Sequence, residues 1–118
     1  MTRVAVVTGG SRGIGAATAR RLAAQGWSVC FSYRSAAEAA KQVVAACEAV
    51  GAEALAVQAD VSSPEAVAEL FEAADRLGRV AALINNAGVA DRKQRVDEFT
   101  PDRIVRMTAV NVVGPFLC

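Results

Sequence analysis

RVAVVTGGSRGIG, residues Arg3–Gly15, decides the fold. Its first six residues, Arg3–Thr8, are a near-continuous apolar run rich in β-branched side chains, which marks a strand covered on both faces. Glycines at 9, 10, 13 and 15 follow at once. From Gly13 to Gln25 the period becomes helical, with Ile14, Thr18 and Leu22 at i, i+4 and i+8, and Gly26 closes the helix. Glycines at such a junction let the backbone turn sharply and come close to a ligand. The free N–H groups of the helix start attract a pyrophosphate. A glycine-rich turn that holds no ligand is the plain alternative.

The same alternation continues down the chain. Ser28–Tyr33 (SVCFSY) reads as a second strand. Ala36–Val50 reads as a helix burying Ala36, Ala40, Val43, Cys47 and Val50, ended by Gly51. Ala54–Ala59 (ALAVQA) is a third strand. Ser63 caps the next helix with Pro64 at its first position, and Val67, Leu70, Phe71, Ala74 and Leu77 form its apolar stripe. Gly78 ends that helix, and Val80–Asn85 (VAALIN) is a fourth strand. A charged loop, Asp91–Phe99, leads to Thr100-Pro101, a second cap-and-proline start, and a last helix. Four βα units with buried-type strands predict a doubly wound parallel sheet, a Rossmann-type α/β fold, over residues 1–118 as one domain. Right-handed crossovers place the first two helices on one face and the last two on the other. In the order 3-2-1-4, VAALIN is an exposed edge, so the sheet is expected to be incomplete as it stands.

Composition narrows the function. Thirteen basic and twelve acidic residues leave a net charge of +1, no electrostatic case for nucleic acid or an anionic membrane. No apolar run approaches the ~18 residues of a membrane span. The run before Gly9 is too short for a signal peptide core. Three widely spaced cysteines, Cys30, Cys47 and Cys118, read as reduced thiols of a cytoplasmic protein. Histidine is absent, which excludes His-based triads and the usual zinc sites, so no metal is expected.

Two phosphate motifs fail against the glycine loop. A Walker loop needs Lys and Ser/Thr after GxxxxG, but Ala16-Ala17 follows Gly15. The GxGxxG fingerprint needs glycine at 18, where Thr18 stands. What remains is TGxxxGxG. At the end of the second strand, where dinucleotide folds place an acid on the ribose hydroxyls, the chain reads Ser32-Tyr33-Arg34-Ser35. A carboxylate there would repel a 2′-phosphate, whereas an arginine and a serine hydroxyl bind one. NADP(H) is therefore expected over NAD(H), with a solvated loop charge as the alternative for Arg34.

TGGSRGIG, NNAG at 85–88 and Asn111, in that order, resemble the classical short-chain dehydrogenase/reductases across all 118 residues. The bacterial ketoacyl-reductase and glucose-dehydrogenase-like members are nearest in flavour. The resemblance implies cofactor contacts at Gly9, Ser11, Arg12, Gly13, Ile14 and Gly15, with Arg12 matching the basic residue of NADP-preferring members. Tyr33, Arg34 and Ser35 fall on the adenosine side. Asp60 would accept from the adenine amino group, helped by the backbone of Val61, unless it is only a loop acid near a helix start. Asn86, Ala87 and Gly88 would line the cofactor, with a structural turn as the competing view.

The last helix carries a defect. Pro115 has no N–H for the carbonyl of Asn111 and its ring crowds that carbonyl, so a kink is expected. Ile104, Thr108, Asn111 and Pro115 share one stripe, expected to face the sheet. The family gives such an asparagine a catalytic role, its main chain holding a water in a proton relay; a polar residue tolerated in a packed helix is the alternative. Val105, Met107, Val110, Val112, Val113, Phe116 and Leu117 make the helix apolar nearly all round, hence buried on two sides. One side needs more chain or another subunit, and a homo-oligomer, dimer or tetramer, through this helix is expected by resemblance.

The family chemistry also needs a serine and a Tyr-x-x-x-Lys. Neither is placed here: Tyr33 is followed at i+4 by Ala37. The expectation is the cofactor-binding half of an oxidoreductase acting on a small carbonyl or secondary alcohol. A truncated nucleotide-binding module without catalysis stays open beside it.

Overall fold

The computed structural model describes residues 2–89 and 94–118. Strands β1 (Arg3–Val7), β2 (Ser28–Tyr33), β3 (Ala54–Gln58) and β4 (Arg79–Ile84) form one parallel sheet in the order β3-β2-β1-β4. This is the expected doubly wound arrangement, with β4 as an open edge among the described residues. The ladder between β1 and β4 slips once: Val4 faces Val80 and Ala5 faces Ala82, which leaves Ala81 as an extra residue.

Both sheet faces are covered, which explains why the β1 and β2 sequences do not alternate. On one face Val7, Val29 and Phe31 pack against helices α1 (Gly13–Ala24) and α2 (Ala37–Ala49). On the other, Val4, Val6 and Cys30 pack against Leu70, Ala73 and Ala74 of helix α3 (Pro64–Leu77). The α3 start is as expected, the Ser63 hydroxyl accepting from the Ala66 amide at 3.3 Å with Pro64 in the first turn. Its stripe is as read from the sequence, with Val67, Leu70 and Ala74 buried and Phe71 and Leu77 partly so.

In the first two helices the buried faces differ in part from expectation. In α1 the buried residues are Gly15, Ala16, Ala19 and Ala23, and Ile14 is 79% exposed. Small side chains face the sheet at the helix start, where the Gly9 carbonyl leaves no room for a Cβ at residue 15, while Leu22 packs half-buried against the same core as expected. In α2 the buried face is Ala40, Val43 and Cys47, while Val50 lies past the helix end and is exposed.

After a short 3-10 turn at Val96–Glu98 the last helix begins at Pro101, with the Thr100 hydroxyl accepting from the Arg103 amide at 3.3 Å. The charged loop expected over Asp91–Phe99 lies in part, at 91–93, outside the described residues. The helix runs as α4 (Pro101–Thr108), a π turn (Ala109–Val113) and α5 (Gly114–Leu117). Gly114 donates to Ala109, one residue further back than in an α-helix. The defect anticipated from Pro115 is thus a π turn just before it.

The stripe expected to face inward is displaced by one residue. Ile104, Thr108 and Asn111 are exposed, while Val110 and Gly114 are buried. Their partners are Val61 and Val67, in the loop after β3 and in α3. A Cβ on Gly114 would stand 2.7 Å from Val61 Cγ2 and 3.2 Å from the Val61 carbonyl oxygen. Gly114→Ala is therefore expected to cost about 1–3 kcal/mol by overpacking, read as a lower urea midpoint at unchanged slope. The opposite side of this helix, with Val105, Val112 and Phe116, is open to solvent.

The three cysteines are free, and burial pushes their thiols up, Cys30 to about 11. Burial thus favours the thiol over the thiolate at each. Among the described residues no helix is long and apolar enough to cross a membrane.

Candidate functional site

In a parallel sheet all carboxyl ends lie on one edge, and here four loops meet there. Their junction is held by a few buried polar groups. The Thr8 hydroxyl, 2% exposed, accepts from the amides of Asn86 at 3.0 Å and Ala87 at 2.9 Å. The Asn86 side-chain amide returns the tie, donating to the carbonyls of Thr8 at 3.1 Å and Gly9 at 3.0 Å. On the other flank the buried Ser32 hydroxyl accepts from the Gly9 amide at 3.0 Å, and its carbonyl accepts from Gly10 at 2.9 Å.

This lattice dictates glycines. Gly9 (φ +68°) and Gly13 (φ +56°) occupy the left-handed region that side chains avoid. Gly15 is required by space, since a Cβ there would meet the Gly9 carbonyl oxygen at 2.1 Å and Asn86 Nδ2 at 2.5 Å. Arg12, at the N-cap of α1, makes no side-chain capping bond. The first-turn amides of α1 have no partner within the helix.

The loop after β2 is fixed from β3. Gln58 Nε2 donates to the Arg34 carbonyl at 2.9 Å, and the Ala59 amide to Tyr33 at 2.9 Å. The guanidinium groups of Arg12 and Arg34 make no hydrogen bond or ion pair among the described residues. Asp60 is engaged on both oxygens. Oδ1 accepts from the Ser62 hydroxyl at 2.7 Å and the Ser62 amide at 3.0 Å, and Oδ2 lies 3.6 Å from Arg106 Nη1. These hydrogen bonds from Ser62, aided by the nearby charges of Arg34 and Arg106, hold its carboxyl below the usual carboxylate range.

Asn111 is not an amide buried against the sheet. It is exposed, and both ends of its side chain are used: Oδ1 accepts from the Val89 amide and Nδ2 donates to the Val89 carbonyl, each at 2.8 Å. The pair ties the segment after β4 to the π turn.

These loops enclose a cleft of about 850 Å3. Of the residues singled out in the sequence, Gly9, Ser11, Arg12, Tyr33, Arg34, Ser35, Asp60, Val61, Asn86, Ala87 and Gly88 line it. Gly13 and Ile14 stand exposed outside the lining, Gly15 is buried beneath it, and Asn111 lies behind Val89. Sequence reasoning overlooked Thr8, Ser32, Gln58 and Arg106. The signal for the first two was present: a polar residue at the carboxyl end of a strand otherwise buried on both faces needs a partner. Gln58 and Arg106 carried no signal of that kind.

Comparison with known proteins agrees with the geometry. A family model described as short chain dehydrogenase matches residues 3–118. The chain belongs to the short-chain dehydrogenase/reductase family. Among curated relatives, it is 42% identical over 116 residues to the uncharacterized oxidoreductase YgfF of Escherichia coli (strain K12), covering 98% of this chain and 47% of that one. It is 41% identical over 117 residues to a 3-oxoacyl-(acyl-carrier-protein) reductase of a Synechocystis species, with the same coverages of 98% and 47%. Among solved structures, a short-chain dehydrogenase/reductase from Serratia marcescens superposes with a TM-score of 0.92 at 40% identity. A blue fluorescent protein from a metagenomic library, in complex with NADPH, gives 0.90 at 45%. Each structure match covers 98% of this chain and 47% of the other. The chain spans about half the length of the curated relatives it matches.

Proposed function

We propose that residues 1–118 are the dinucleotide-binding part of an NADP(H)-dependent oxidoreductase acting on a small carbonyl or secondary alcohol. The observation that carries the cofactor preference is the end of β2: no carboxylate, and two guanidinium groups, Arg12 and Arg34, beside the cleft with no hydrogen bond or ion pair among the described residues. The solved neighbour with NADPH bound points the same way. The residues present fit such a cofactor. Open first-turn amides of α1 and glycines that leave no Cβ in the loop suit a pyrophosphate, and Arg34 with Ser35 suits a 2′-phosphate.

When bound, the nicotinamide supplies or accepts the hydride. The chain's own residues hold the rest of the cofactor: Asp60 and Val61 at the adenine, Asn86, Ala87 and Gly88 along the ribose. Asn111 acts in catalysis through its main-chain carbonyl, in the helix turn that Pro115 deprives of a donor, holding a water in the proton relay. The serine and Tyr-x-x-x-Lys of the family belong elsewhere in the protein. The protein acts in the cytoplasm on a small molecule, with neither nucleic acid nor membrane as partner, and assembles as a homo-oligomer through the open side of its last helix. A nucleotide-binding module without turnover is the second reading.

The test is paired titration of NADPH and NADH. Tighter NADPH binding is expected, and Arg34→Ala should weaken NADPH by about tenfold or more, the worth of a charge-assisted contact, with NADH nearly unchanged. Equal affinities in the unaltered protein would overturn the cofactor assignment. Failure to turn over any carbonyl with NADPH would leave the second reading standing.

A further inference from the structure

Among the described residues that line the cleft Asp60 is the one acid, and Arg34, which lines it too, is a charge that helps lower the Asp60 carboxyl. Left alone, that pair would be self-defeating. A carboxylate drawn onto Arg34 would cancel the charge meant for a phosphate and add a repulsive one beside it. Among the described residues Arg34 makes no ion pair with Asp60, although its charge acts on that carboxylate as the charge of Arg106 does. Asp60 Oδ1 is taken by Ser62, and Oδ2 faces Arg106 at 3.6 Å, an arginine on α4 that does not line the cleft. The side chains of Arg106 and Asp60 are 46% and 34% exposed, so the ion pair is half in water.

We propose that Arg106 is a specificity-positioning residue: by engaging Asp60 Oδ2, it keeps that carboxylate from pairing with Arg34 and leaves the Arg34 guanidinium for a cofactor 2′-phosphate. This rests on the NADP(H) reading above. Arg106 touches no cofactor in this account and acts only through Asp60. The last helix thereby takes part in choosing the nucleotide, although its residues are remote from the end of β2 in sequence.

The experiment is a cycle of Arg106→Gln, Asp60→Asn and the double variant in the full protein, with dissociation constants for NADPH and NADH measured at low salt. The unaltered protein must first prefer NADPH; if it does not, the cofactor reading fails and this inference with it. Given that preference, Arg106→Gln is expected to lower the NADPH-over-NADH ratio by about two- to fivefold, the range for a half-exposed ion pair. Asp60→Asn in the Arg106→Gln background should restore the ratio, even if it weakens both cofactors alike through the adenine. An unchanged ratio in Arg106→Gln overturns the proposal. So does a lowered ratio that Asp60→Asn fails to restore, since Arg106 would then act by a general structural effect.

Discussion

Gly15→Ala is expected to disable the cleft and to cost the fold about 3 kcal/mol or more, at the upper end of overpacking effects. The added methyl would stand 2.1 Å from the Gly9 carbonyl oxygen, and neither partner has room to yield. That oxygen is held by Asn86 Nδ2, the Gly9 amide by Ser32, and the helix start by Ala16 and Ala19 packed on the sheet. Relief requires α1 to move away from β1, which opens the core and takes the first-turn amides from the loop. Denaturant melts and NADPH titration should both register the change. Gly13→Ala is the control: nothing lies within 4 Å of its new methyl, and only the positive φ resists, at about 1 kcal/mol. Equal losses for the two would mean that backbone conformation, not contact at residue 15, governs the loop.

Thr8→Val is the second large effect. Valine matches threonine in shape but offers no acceptor, so the amides of Asn86 and Ala87 lose their partner inside the sheet edge. Two unsatisfied amides at a position 2% exposed predict a loss of about 2–4 kcal/mol. Thr8→Ser keeps the hydroxyl and should recover most of it. Urea unfolding of the three proteins decides the point, and a Thr8→Val loss below about 0.5 kcal/mol would show that water replaces the hydroxyl.

The strands, their order and the helix starts were legible because their signals are local and unambiguous. Buried parallel strands write themselves as apolar runs, glycines punctuate them, and Ser63-Pro64 and Thr100-Pro101 announce helices. Helix faces were less legible, for a physical reason. In α1 the eye follows Ile14, which is exposed, whereas alanines with little hydrophobic signal, joined by a half-buried Leu22, face the sheet, selected by the closeness that Gly15 permits. In the last helix apolar residues run all round, so periodicity cannot choose a side. Gly114 against Val61 chooses it, one residue away from the stripe read in the sequence. The cleft was legible where residue type alone carries meaning, as with the glycines, Arg34 and NNAG. It was not where meaning depends on a partner far along the chain, as with Arg106 and Asp60.

The Thr8–Asn86 tie has a consequence in time rather than in space. Its two ends are 78 residues apart in sequence, so the floor of the cleft cannot close until the chain has been made past Ala87. A nascent chain of the first three βα units has its glycine turn and its helix start but nothing to brace them. The loop has the sequence of a binding site well before it has the shape of one, and its ability to hold a nucleotide should appear abruptly, as β4 pairs with β1 and not before.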